Sequence, residues 1–389
     1  MADANAFQAA QAALSLPVPE IRREPRRRIC CCEHSGGWMM LFACAGCGAR
    51  LTVPVSQVAL PVHAGQQYGH GLLGVLMEPG TYAVDPDPSG PPWQPWTEVG
   101  ADEAEARGVY APVHALSSGP RGAVVVAPGD VRGTVFIPER SGGCCCGLDG
   151  RDGPNLACAR CGLPVATRID DCSLWQAVWL DPRAVHRVTG DVCPRQPVGW
   201  EALREERPGI PPVEPPGQWS PLWEAAVAAA LARLLAVSAG ARVIVPDGLV
   251  ADTFRRALDQ LLPPGPPART LALVGPGLPA VSTGIALVPQ HPQTGGHWAS
   301  SGAAGAVVPL SWDVWTYLAF HHDRRPVPGA GTMPDDARRD DPPPLTPSGP
   351  FRPASDVFLS TLARLPEVRQ PWLREIYDHV KGRPYADPF

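Results

Sequence analysis

Cys30-Cys31-Cys32, eleven residues, then Cys44-Ala45-Gly46-Cys47-Gly48; and again Cys144-Cys145-Cys146, eleven residues, then Cys158-Ala159-Arg160-Cys161-Gly162: these two stretches decide how the chain reads. Both fit C-C-C-x11-C-A-x-C-G, displaced by 114 residues, and Ala43 and Ala157 match in front of the second cysteine pair. Behind each pair runs the same alternation of side chains, Leu51, Val53 and Val55 in one copy and Val165, Thr167 and Ile169 in the other. One register shared by the cysteines and by the strand behind them predicts an internal duplication.

The spacing carries its own chemistry. A Cys-x-x-Cys turn ending in glycine aims two sulfurs at one point, and two further thiolates complete a closed tetrahedral site of the kind that holds a structural metal ion. Such a site can supply on the order of 10 kcal/mol of folding free energy to a short module with little core of its own. The segments resemble zinc ribbons, whose second knuckle often reads Cys-Pro-x-Cys-Gly; Ala45 and Ala159 stand in the proline position. The first knuckle departs from the ribbon pattern, since three adjacent cysteines offer at best a Cys-x-Cys pair. The expected ligands are therefore Cys30, Cys32, Cys44 and Cys47 in the first module and Cys144, Cys146, Cys158 and Cys161 in the second, with two Zn2+ ions per chain. All-sulfur sites also accept iron–sulfur clusters or Cu(I). His34 is a possible substitute ligand, but Leu148 stands at its counterpart. Cys172 and Cys193 fall outside the repeat and read as small buried hydrophobes.

The rest of the composition bounds the problem. A chain of 389 residues with 44% hydrophobic and 18% charged residues can bury two or three cores, while 49 prolines and 40 glycines favour turns and short strands over long helices. Lys381 is the only lysine among 33 basic residues, a bias that G+C-rich coding produces and that points to a bacterial, actinobacterial-type source. A net charge of −5 gives no general attraction for nucleic acid. The exception is local: Arg22, Arg23, Arg26, Arg27 and Arg28 crowd in front of the first cysteines, as a solvated arm or a phosphate-binding one. The N-terminus lacks the pattern of a signal peptide, and the most apolar stretch, Ala225 to Val245, is broken by Arg233, Gly240 and Arg242. These features predict a cytoplasmic protein without a membrane span.

The expected class is α+β: a β-rich N-terminal unit carrying both modules, followed by a small α/β domain. Residues 1–25 read as a flexible N-terminus, 26–192 as the β-rich unit with modules at 26–58 and 140–172, and 193–219 as a proline-rich linker. Residues 220–323 read as the α/β domain, 324–354 as a disordered Pro/Asp-rich segment and 355–389 as a helical tail broken near Pro366 and Pro371. Ala123 to Ala127, Pro128-Gly129-Asp130 and Arg132 to Ile137 read as strand, turn, strand, and Asp85 to Ala106 as an exposed loop in which Trp93 and Trp96 offer a contact surface. In the α/β part, Ser220 and Pro221 open a helix ending at Gly240, and Asp252 caps a second. Short apolar runs at Val243, Leu271, Ile285 and Ala306 supply strands.

Two functions fit these parts. The first is a zinc-stabilised scaffold that binds a protein or a nucleic acid. The alternative is an enzyme or ligand site at the carboxyl edge of the C-terminal sheet, where Asp247, Gly275, Gly277, His291 and His297 fall. No reaction class follows from them: Gly275-Pro276-Gly277 lacks the rest of a dinucleotide loop, and there is no Walker motif or nucleophile elbow.

Overall fold

A computed structural model describes residues 39–67, 69–70, 73–143, 145–189, 197–207, 209–214, 218–299, 305–321, 350–383 and 389. These belong to one unit, Ser35–Phe389. The expectations for Arg22 to Arg28, Cys30, Cys32, Cys144 and Cys193, and those for segments 1–25 and 324–349, lie outside the described residues.

The first part is built of β1 (Met39–Cys44), β2 (Val55–Gln57), β3 (Thr81–Val84), β4 (Trp93–Pro95), β5 (Ala115–Ser117), β6 (Val124–Val126), β7 (Thr134–Phe136), β8 (Leu156–Cys158), β9 (Pro164–Ile169), β10 (Ala177–Leu180) and β11 (Val185–Thr189). Nine of these form one sheet in the order β11-β1-β2-β3-β6-β10-β9-β8-β7, while β4 and β5 pair separately. Both faces of its middle are covered. Val124 and Val126 join Tyr82, Val178 and Leu180 in one core, and Val125 joins Ala83, Ala177 and Met77 in another. A run of three valines is what a strand buried on both sides requires, because alternate side chains point to opposite faces.

The two cysteine hairpins are built alike at positions 114 residues apart. The Cys44 N–H donates to Ala49 O and the Gly48 N–H to Cys44 O, and the Cys158 N–H donates to Leu163 O and the Gly162 N–H to Cys158 O, all at 2.8 Å. The bridge Ala43↔Arg50 matches the pair Ala157↔Pro164. Each cysteine strand then pairs with an outermost strand of the sheet: β11 lies beside β1 with Val185 opposite Cys44, and β7 lies beside β8 with Thr134 opposite Cys158. Strand, turn and strand occur over 124–136 as expected, but β6 and β7 are not neighbours, since β7 crosses to β8. The stretch Asp85 to Ala106 is not one open loop. It contains β4 and two short helices, α1 (Trp96–Val99) and α2 (Ala101–Ala106), whose Ala104 is buried.

The second part follows α3 (Trp200–Glu206), a helix inside the proline-rich stretch that buries Leu203. Then come α4 (Pro221–Ser238), β12 (Arg242–Ile244), α5 (Leu249–Leu261), β13 (Ala268–Leu273), β14 (Ile285–Gln290), β15 (Ala306–Ser311) and α6 (Trp312–Phe320). The four strands are parallel and in sequential order. Ser220 and Pro221 start α4 as expected, but Ala239, at φ 52°, takes the left-handed cap one residue before Gly240. Helix α5 begins a turn earlier than Asp252, which sits in its first turn, with Gly248 at the cap. Among the described residues α4 is the one helix long and apolar enough to cross a membrane, yet 67% of it is buried inside the fold. It is a core helix, apolar all round because α7 (Ser355–Ala363), α5 and β15 pack on it. Pro366 and Pro371 break the tail as expected, with α8 running Pro371–Lys381.

Candidate metal centres

The turns after β1 and β8 face one another. Cys44 Sγ lies 3.5 Å from Cys161 Sγ, Cys47 Sγ lies 3.6 Å from Cys158 Sγ, and all four sulfurs fall within 4.8 Å of each other. These separations are far beyond the ~2.05 Å of a disulfide. An ion bonded to four sulfurs at about 2.3 Å would hold them at tetrahedral edges of about 3.8 Å. The turns reach this geometry because Gly48 and Gly162 adopt φ +69° and +76°, a conformation that side chains resist. A Cβ at Gly46 would come 3.5 Å from Cys161 Sγ, an ordinary contact distance, so the two turns lie against each other.

The neighbouring thiols shift one another in opposite directions. Cys158 is drawn down to about 7: burial opposes this, but the N–H groups of Cys161 and Arg160 and the thiols of Cys47 and Cys161 outweigh it. Cys161 goes the other way, to about 12; the Leu163 N–H favours its thiolate, but the neighbouring thiols of Cys44, Cys47 and Cys158, with burial, hold its proton. Four adjacent sulfurs cannot all ionise alone, and a divalent ion among them would displace every proton.

A second cluster joins His70, Cys145, Cys146 and Cys172. Cys145 Sγ is 3.5 Å from His70 Nδ1, 3.3 Å from Cys146 Sγ and 3.5 Å from Cys172 Sγ, and Cys172 Sγ is 3.5 Å from His70 Nδ1. Cys172 is pushed up to about 12 by its contact with Cys146, by burial, by Cys145 and by the charge on Asp171. Asp171 shapes this site without belonging to it. Its carboxylate accepts the N–H groups of Cys146 at 3.2 Å and Gly147 at 3.1 Å on one oxygen, and the N–H and hydroxyl of Ser173 on the other. Burial would raise its pKa, but these donors hold it below the usual carboxylate range.

The grouping differs from the module-by-module one. Cys44 and Cys47 gather with Cys158 and Cys161, and Cys146 gathers with its neighbour Cys145 and with His70 and Cys172 from outside the repeat. Cys172 is buried, as a small hydrophobe would be, but it stands among ligand atoms, and so does Cys145, the middle member of its triplet. His70 carried no signal in the spacing. A count could have found Cys172: once the two Cys-x-x-Cys turns face each other, the second triplet needs partners, and Cys172 is the next cysteine along the chain.

The candidate residues at the carboxyl edge of the parallel sheet each have their own surroundings. Asp247 is exposed and ion-paired to Arg255 at 2.6 Å. A Cβ at Gly275 would come 2.3 Å from the Trp315 ring, so that glycine makes room for packing. Gly277 forms a turn at φ +81°, and His297 is exposed. His291 is buried with both ring nitrogens engaged: Nε2 lies 2.8 Å from Val198 O, and Nδ1 accepts the N–H groups of Gln293 and Thr294. It organises the loop after β14. Compared with family models, curated proteins and solved structures, the chain matches none.

Proposed function

We propose that this chain is a zinc-stabilised scaffold that arose by internal duplication, and that its metal centres serve folding while its surface binds a protein partner. One observation carries the reading: at Cys44, Cys47, Cys158 and Cys161 the protein supplies all four positions of a tetrahedral site, leaving none for a substrate. The arrangement resembles a zinc ribbon with a long insertion between its knuckles. Sulfurs within 4.8 Å of one another suit a single ion; a cluster of several irons would spread its ligands over separate metals. Zinc fits a closed, redox-silent thiolate set, and three sulfurs with one imidazole fit it equally. A protein partner is favoured over nucleic acid by the net charge of −5 and by the exposure of Trp93, Val135 and Phe136, 55%, 51% and 49% respectively.

The test has two arms. Elemental analysis of purified protein should find two zinc ions per chain, and stripping them with a strong chelator should unfold the nine-stranded sheet. A mobility-shift titration with DNA and RNA at low salt should show no complex; a salt-sensitive complex would move the partner to nucleic acid.

A further inference from the structure

Between the segments 58–63 and 75–81 and the carboxyl edge of the parallel sheet lies a cavity of about 430 Å³. That is within the range of roughly 300–1,000 Å³ typical of small-molecule sites, which favour junctions of this kind. Its walls are mostly apolar and come from both parts of the fold: Leu60, Leu76 and Met77 on one side, Ile210, Leu222 and Trp312 on the other. Trp175 adds an aromatic wall with the His63 ring 4.5 Å from its own.

The charged side chains lining the cavity are Glu78, Arg207 and Asp313. Arg207 is ion-paired to Glu78 and reaches Asp313 at 3.7 Å, so two carboxylates share one guanidinium. Burial pulls the Asp313 carboxyl above its usual range; Arg207 opposes this and Glu78 reinforces it. His63 adds no charge near neutral pH, since burial holds its pKa down to about 4. His291 also lines the space, but its nitrogens are committed to Val198, Gln293 and Thr294.

We infer that this cavity binds a small, mostly apolar organic amine, with its ammonium group at Glu78 and Asp313 and its apolar body against Trp175 and Trp312. An incoming ammonium balances the second carboxylate, whereas an incoming carboxylate would set three negative groups around one guanidinium. None of the eight residues of the metal clusters lines the cavity, so the inference goes beyond the scaffold reading and does not depend on it.

The experiment uses the full-length, metal-loaded protein and three matched probes, phenylbutylamine, phenylbutanol and phenylbutyrate, titrated by calorimetry. The amine should bind about tenfold more tightly than the alcohol, and the acid most weakly. Asp313→Asn should bring the amine down to the level of the alcohol while leaving the alcohol unchanged. Leu76→Trp, which fills the cavity, should abolish binding of all three with metal content retained. Tightest binding of the acid, equal affinity for the three probes, or no binding of any to folded wild-type protein at millimolar concentration would overturn the inference. Failure of the scaffold reading would show instead in metal content and chelator resistance, which these titrations do not measure.

Discussion

The sulfurs of Cys44 and Cys161 lie 3.5 Å apart across 117 positions of chain. With the Cys47–Cys158 contact at 3.6 Å, this makes one centre a link between the two ends of the nine-stranded sheet. A clip that closes so long a loop restricts the unfolded chain more than one closing a short hairpin, although the gain grows only slowly with length. The same centre pins β1 and β8, the strands that pair with the outermost strands β11 and β7.

If the four cysteines act as one unit, Cys44→Ser and Cys161→Ser should each destabilise the protein by several kcal/mol, as loss of a structural ligand does. The double variant should be little worse than either single one, because the first substitution already empties the site. Denaturant unfolding of the three proteins checks this; additive losses would point to separate roles.

The second cluster gives a prediction of another kind. Asp171→Ala should leave His70, Cys145, Cys146 and Cys172 in place but free the turn whose N–H groups the carboxylate holds. Loss of such supporting partners costs roughly 10- to 100-fold in metal affinity. Competition with a zinc chelator should show one of the two ions released more readily than in wild type, with the other unchanged.

Gly48→Ala and Gly162→Ala isolate the backbone contribution. At both positions a new Cβ would meet nothing within 4 Å, so the cost is that of a left-handed alanine, about 1–2 kcal/mol. Metal content should be retained in both variants, and thermal melts should shift downward by similar amounts.

His63 supplies a pH dependence. Its pKa is near 4 in the folded protein because burial disfavours the charged ring, against 6.5 for an ordinary histidine. The unfolded chain therefore takes up a proton between those values that the folded protein refuses. Its contribution is complete above pH 6.5, falls as pH drops through that window and is lost below about 4. His63→Phe should flatten this part of the stability profile; an unchanged slope would show that the ring is solvated.

Much of this was legible in the residues themselves. The Cys-x-x-Cys-Gly turns follow from spacing and glycine, the strands at Val124 and Ile285 from short apolar runs, and the broken tail from Pro366 and Pro371. The partners of each turn were not legible, because tetrahedral geometry fixes how many sulfurs meet and not which ones. Local sequence also could not show that β11 pairs with β1, or that β1 and β8 lie at opposite ends of one sheet with their turns facing each other. His70 and Cys172 reach their cluster only through the folding of the loop before β3 and the turn before β10, where no periodicity marks a ligand. At the carboxyl edge of the parallel sheet, the sequence placed Gly275 correctly after a strand but could not show Trp315 filling the space beside it.

The most direct measurement is the zinc content of the double variant Cys47→Ser/Cys161→Ser, taken by native mass spectrometry beside wild type. Both cysteines belong to the one cluster formed by the facing turns, and each belongs to a different sequence module. A shared centre predicts two ions in wild type and one in the variant, held by His70, Cys145, Cys146 and Cys172. A variant with no zinc would contradict it in favour of one ion per module, and a variant that keeps both ions would remove these cysteines from metal binding altogether.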